Sequence, residues 1–90
     1  MVIDDPRSNR LHDAVKAELG KFDSRLRTHD FRMVSGEGHI NLIFDVSLPA
    51  DLKGQEKTIR SRLEAALSVR EETRVYTVIT FDPEVFNEDI

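Results

Sequence analysis

The chain contains no cysteine and no tryptophan. Without cysteine there can be no disulfide, thiolate zinc site, CxxC metal-carrier site or cysteine nucleophile. Glycine and proline are sparse, at four and three residues, and most of them mark boundaries in the reading below. Long apolar runs are missing: stretches such as Leu42-Ile43-Phe44 end after three residues, far short of the ~20 that span a bilayer. There is no excess of basic charge. Thirteen Lys and Arg stand against seventeen Asp and Glu, for a net charge of −4. Nine of the thirteen are arginines scattered along the chain, so a nucleic-acid partner, which needs clustered cations to neutralise phosphates, is disfavoured. An acidic domain suits cations as ligands better. The start, Met1-Val2-Ile3-Asp4-Asp5, is acidic and lacks an apolar core, so no secretory leader is expected.

What is present is 39% hydrophobic and 33% charged over 90 residues. That composition describes one soluble globular domain with a heavily charged surface. At this length roughly 60% of the unfolded chain's surface can be buried, enough for one modest core. A stapleless domain of this kind suits the cytoplasm.

Residues 1–6 read as a lead-in ending at Pro6, with Asp4 or Asp5 as N-cap of a first helix. Leu11, Val15, Leu19 and Phe22 have helical spacing, with Ala14 beside them, and Gly20 is expected to help the chain leave the helix. Leu26 to Ser35 reads as a strand, Gly36-Glu37-Gly38 as a hairpin turn, and His39 to Leu48 as a second strand. In that strand Ile40, Leu42, Phe44, Val46 and Leu48 share one face, and Asn41, Ile43, Asp45 and Ser47 the other. A second helix is expected from about Lys53 to Ser68, with Ile59, Leu63, Ala66 and Leu67 as its apolar stripe. Val69 to Thr73 reads as a charged loop and Val75 to Phe81 as a third strand closed by Pro83. Residues 84–90 form an acidic tail in which Val85 and Phe86 could pack.

The order helix, strand, strand, helix, strand predicts an α+β, ferredoxin-like αββαβ sandwich: a three-stranded sheet with two helices on one face. A right-handed crossover is expected to bring the third strand parallel to the first. The other sheet face would carry Ile43, Tyr76 and Val78 uncovered, which makes it a candidate dimerisation face.

Three histidines are available. His12 reads as a helix-surface residue near the apolar face, and His39 as a hairpin-end residue. His29 enters the first strand directly before Asp30. Asp45 interrupts an apolar strand, and Asp82 ends the third strand before Pro83. If the strands are adjacent, His29, Asp45 and Asp82 could converge. One imidazole and two carboxylates suit Zn²⁺, Mn²⁺ or another divalent ion and not Cu⁺. Strict period-two counting sets Asp45 and Asp82 opposite the core, but puts His29 with Phe31 and Met33 on the core side. Convergence then requires a bend at the strand entrance.

Catalytic motifs are lacking. There is no nucleophile elbow, no Walker-type phosphate loop and no dinucleotide fingerprint, so the chain reads as a non-enzyme.

The run His29-Asp30-Phe31-Arg32-Met33-Val34, then Gly36, then His39-Ile40-Asn41-Leu42-Ile43-Phe44-Asp45-Val46, resembles the C-terminal cytoplasmic domain of cation diffusion facilitator transporters. Asp82-Pro83 matches the Asp-Pro pair that commonly ends the third strand there. The resemblance covers about Asp5 to Pro83. It implies a metallochaperone-like αββαβ fold, a homodimer, and a transmembrane portion exchanging divalent cations for protons, with the domain on the cytoplasmic face and not itself inserted in the membrane. The ligand positions it implies map onto His29, Asp45 and Asp82. Asp45 and Thr80 stand where zinc-binding relatives often have His, and the second helix offers no His, so Mn²⁺ or Fe²⁺ fits beside Zn²⁺. His39 is a spare candidate, set on the opposite face from Asp45.

The leading expectation is therefore a regulatory and dimerisation domain of a divalent-cation efflux transporter. A metal-free dimerisation module of the same fold is the alternative. From another class comes a ferredoxin-like small-molecule sensor or acylphosphatase-type enzyme, which a pocket lined by Arg32 and Arg74 would favour.

Overall fold

The first helix, α1 (Pro6–Phe22), buries Leu11, Ala14, Val15 and Leu19, one stripe at helical spacing. A computed structural model of the chain describes residues 6–83. Residues 1–5 of the lead-in, with the expected caps Asp4 and Asp5, and the tail with Val85 and Phe86 lie outside the described residues, while Pro6 is the first residue of the helix. The helix ends at Phe22, where its apolar spacing places the end, with Gly20 inside the last turn; Phe22 packs against the core, and the Asp23 N–H donates to the Leu19 carbonyl at 2.9 Å. The last turn is held by packing that overrides the glycine's weak helix propensity.

A tight turn leads into β1 (Arg27–Gly36). Asp23 accepts hydrogen bonds from the Arg25 backbone N–H and guanidinium, and the same guanidinium donates to both oxygens of Asp51, at 3.0 and 2.8 Å. One side chain thus ties this turn to the segment after the second strand. Both carboxyls are held below the usual carboxylate range, Asp23 at about 2, chiefly by hydrogen bonding to Arg25.

The hairpin turns at Glu37-Gly38, where Gly38 has φ +75°, a left-handed conformation that glycine adopts without strain. β2 (His39–Leu48) follows and buries every second residue from Ile40 to Leu48. Pro49 ends it, and a 3-10 turn, Ala50–Leu52, follows. The second helix, α2 (Glu56–Glu71), starts and stops three residues later than its periodicity suggests. Lys53, which caps the 3-10 turn, and Gly54 at φ +97° occupy the expected first turn. At the other end Val69 and Arg70 stay helical until Glu72 turns left-handed at φ 56°.

β3 (Arg74–Pro83) completes the sheet. The strand order is β1-β2-β3, with β1 antiparallel and β3 parallel to β2. The third strand is therefore parallel to the second strand, not to the first. The α2 crossover carries the chain straight back alongside β2, the compact path for a strand–helix–strand unit. The remaining architecture is the expected one: α+β, with both helices packed on one sheet face. Their stripes enclose the inward β2 residues, and Phe44 is the largest fully buried side chain.

β3 is an edge strand, and α2 covers part of its free edge. The Val75 N–H donates to Ser68 Oγ at 3.0 Å. The Thr77 N–H and hydroxyl both donate to Glu64 Oε2, at 2.7 and 2.8 Å. These bonds satisfy donors that a bare edge would offer to another strand.

Candidate functional site

The helix-free face of the sheet can be read off its register, because outward residues of adjacent strands stand side by side. At one end Gly36, His39 and Arg74 form a row. Next come Val34, Asn41 and Tyr76, then Arg32, Ile43 and Val78. The fourth row is His29, Asp45 and Thr80, and the last is Arg27, Ser47 and Asp82. An apolar middle thus grades into a polar end.

The polar end depends on an irregularity in β1. Thr28 pairs with Val46 and His29 with Asp45, but the next pair is Arg32 with Ile43. Asp30 and Phe31 together oppose Phe44, the pattern of a β-bulge. Asp30 takes the extra position at φ 55°, a left-handed conformation that Asp tolerates better than most residues. The bulge adds one residue, so the side-chain alternation is reset across it. Phe31 and Met33 still face the core, while His29 faces outward, directly opposite Asp45. The strict alternation that places His29 on the core side is thereby corrected, and the bulge is the bend that convergence required. Its sequence signal was a short polar residue, Asp30, just where the alternation failed.

His29 and Asp82 are exposed and Asp45 is half-buried. The His29 Nε2 lies 2.9 Å from Ser47 Oγ, and Ser47 is the register partner of Asp82. Ser47 thus sits between two of the candidate ligands, a role that plain strand alternation did not reveal. The structure brings all three candidates to one end of one face. Among the described residues, however, no group of three or more His, Asp or Glu side chains is placed to hold a metal ion within a single chain.

His39 is not on the opposite face from Asp45. Both are odd-numbered residues of β2 and point the same way. They are six residues apart along the strand, roughly 20 Å, so His39 cannot join the polar end. Its Nδ1 lies 3.1 Å from the Glu37 carbonyl, and its ring meets Tyr76 edge-on at 6.0 Å.

His12 is no bland surface residue. Its ring stacks on Phe31 with centroids 4.5 Å apart and planes 8° from parallel, and Nε2 lies 3.1 Å from Thr28 Oγ1. Burial lowers its pKa from the ordinary 6.5, Lys16 adds to the shift, and Asp13 opposes it.

The expected dimer-face residues all lie on the helix-free face. Tyr76 is 45% and Val78 58% exposed, and Ile43 is half-buried between the strands. Val34, 51% exposed, extends the strip on β1. Its partner Asn41 hid this, because pairing across the sheet is not visible along one strand. Arg32 and Arg74 stand two rows apart on opposite edge strands, so they do not line one pocket.

The chain is thus an αββαβ domain whose helix-free sheet face grades from an apolar strip to a polar end. The fold is shared with a chain solved in work on the mode of action of CzrB, described there as a candidate zinc transporter. The TM-score is 0.73 at 17% identity, covering 93% of this chain and 100% of that one. A second likeness is to a variant of Aquifex aeolicus Era bound to GDP·AlF4⁻, with TM-score 0.58 and 12% identity over 93% of this chain and 34% of Era. At these identities the likeness concerns the fold. No protein-family model and no curated protein sequence matches the chain. No helix among the described residues is long and apolar enough to cross a membrane.

Proposed function

We propose that this chain is the cytoplasmic regulatory and dimerisation domain of a divalent-cation efflux transporter. The observation that carries the reading is the pairing of His29 with Asp45 on the helix-free face, with Asp82 one row away. The fold likeness to CzrB over the whole of that chain supports it. The likeness to Era does not favour a nucleotide-binding role, because this sequence has no Walker-type phosphate loop.

A single chain supplies one imidazole and two carboxylates that do not form a closed metal group. Two copies meeting face to face through the Val34, Ile43, Tyr76 and Val78 strip would double that set. Carboxylates from two protomers repel until a divalent cation lies between them, and the cation then favours the closed pair. Nitrogen and oxygen donors without sulfur suit Zn²⁺, Mn²⁺ or Fe²⁺. The domain is non-catalytic in this reading and reports cation level to a transmembrane partner.

Calorimetric titration of the metal-free chain with Zn²⁺, Mn²⁺ and anaerobic Fe²⁺ tests it, with light scattering before and after. Saturable binding that tightens a dimer, and that His29→Ala with Asp82→Ala abolishes, is the expected result. A dimer with no binding heat and no thermal shift for any of the three ions would overturn the sensing role and leave a metal-free dimerisation module.

A further inference from the structure

The bulge in β1 poses a question of register. Thr28 and Phe31 are three residues apart. In a regular strand such residues point to opposite faces. Here both reach the same histidine on α1: Phe31 through a stacked ring at 4.5 Å and Thr28 through its hydroxyl at 3.1 Å. One ring can hold both only if an extra residue lies between them, and Asp30 is that residue, at φ 55°. Phe31 is also backed by Phe44, with centroids 5.6 Å apart and planes tilted by 32°. Phe31 is therefore held between a core ring and a helix ring.

We propose that His12 is the positioning residue that locks this bulge and so sets His29 against Asp45. The alternative register is available to the same sequence. A bulge-free β1 pointing Phe31 and Met33 inward would turn His29 toward the core and Thr28 toward solvent. His12 stabilises the bulged arrangement twice, by the ring stack and by the hydroxyl contact, and both contacts are lost together if the strand straightens. The left-handed backbone at Asp30 is a sparsely populated conformation for a residue with a side chain, so the bulge needs such support. Through His12, the position of α1 decides whether the polar end of the open face is assembled. The metal-site half of this inference rests on the proposed function; the register half does not.

The register half is tested by NMR on the metal-free chain. In the parent, cross-strand contacts between His29 and Asp45 and a positive φ at Asp30 are expected. His12→Ala should weaken or abolish both, and His12→Phe, which keeps a stacked ring, should retain them. Deleting Asp30 from the His12→Ala chain is the decisive arm. Thr28 and Phe31 are then two residues apart and share a face without help, so the His29–Asp45 contact should return. That arm also serves if His12→Ala alone loses its fold: recovery supports the register role, and failure to recover overturns it in favour of plain core packing. An unchanged His29–Asp45 contact in His12→Ala also overturns it.

Zn²⁺ titration of the same variants reads the functional half. A loss of about ten- to a hundredfold in affinity for His12→Ala, the range typical of residues that orient a metal ligand, with recovery in the Asp30-deleted form, is expected. If the parent chain binds none of Zn²⁺, Mn²⁺ and Fe²⁺, the metal reading fails while the NMR arms still decide the register; if it binds another of the three, that ion replaces Zn²⁺ in the titration.

Discussion

β2 places its residues alternately in two environments. Its even-numbered side chains from Ile40 to Leu48 are at most 5% exposed, closed over by two helices. Its odd-numbered ones, His39 to Ser47, stay half-exposed on a face that no described element covers. The inner set is uniformly apolar, because any polar group there would need a buried partner. The outer set mixes His, Asn, Ile, Asp and Ser, which only a wet or partner-facing surface tolerates. The same strand thus carries stability on one side and candidate chemistry on the other.

The sharpest way to break that comparison is to alter neighbours on opposite faces. Phe44→Ala should destabilise the chain by about 3–5 kcal/mol, the usual cost of emptying a buried aromatic site. Ile43→Ser, one residue away, should cost about 1 kcal/mol or less in the isolated chain. Urea denaturation of both checks this, and equal losses would mean that the outer face is as firmly packed as the inner.

The covered part of the β3 edge comes next. Glu64→Ala leaves the Thr77 N–H and hydroxyl without their acceptor and should cost about 1–3 kcal/mol. Glu64→Gln keeps an acceptor oxygen and should lose less, as thermal unfolding would show.

Val78→Lys sharpens the contrast from the other side. Val78 is 58% exposed, so the change should leave stability within about 0.5 kcal/mol. If two copies meet on this face, sedimentation should show that self-association is lost. Association unchanged by the lysine would place the interface elsewhere.

The smallest effects are those of pH. Asp23, held at about 2 against an ordinary 3.8 by Arg25, favours the folded state most above pH 3.8, and that contribution is lost as pH falls through about 2. Carboxyl NMR should show Asp23 ionised well below pH 3, and Arg25→Ala should return it toward 3.8. His12 also has a lowered folded value, so its contribution is full above 6.5 and declines as pH falls through that lower value. His12→Phe should flatten the stability profile in that range.

Much of the fold was legible because hydrophobic period directly reports burial. Leu11, Val15 and Leu19 marked α1, the Ile40-to-Leu48 alternation marked β2, and Ile59, Leu63 and Leu67 marked α2. Helix ends were less legible. α1 ends at Phe22 as its spacing predicts, but the 3-10 turn with Gly54 displaces the start of α2, which then runs on to Glu71. The partner of β3 is not legible in the sequence, because strand pairing is a long-range choice that local pattern does not encode.

The site divides in the same way. That Asp45 and Asp82 face away from the core followed from period two alone, as did the apolar Ile43, Tyr76 and Val78 beside them. The element order, the inner face and the residue types on the outer face therefore follow from the order of residues alone, because each depends on local periodicity. That His29 faces Asp45, and that Ser47 stands between His29 and Asp82, came only from the packed fold, whereas the distance of His39 from Asp45 follows from counting along one strand. The first depends on a one-residue bulge, across which the His12 ring on α1 touches both Thr28 and Phe31, and the second also on the pairing of β2 with β3; both are contacts between distant parts of the chain, which no local pattern encodes.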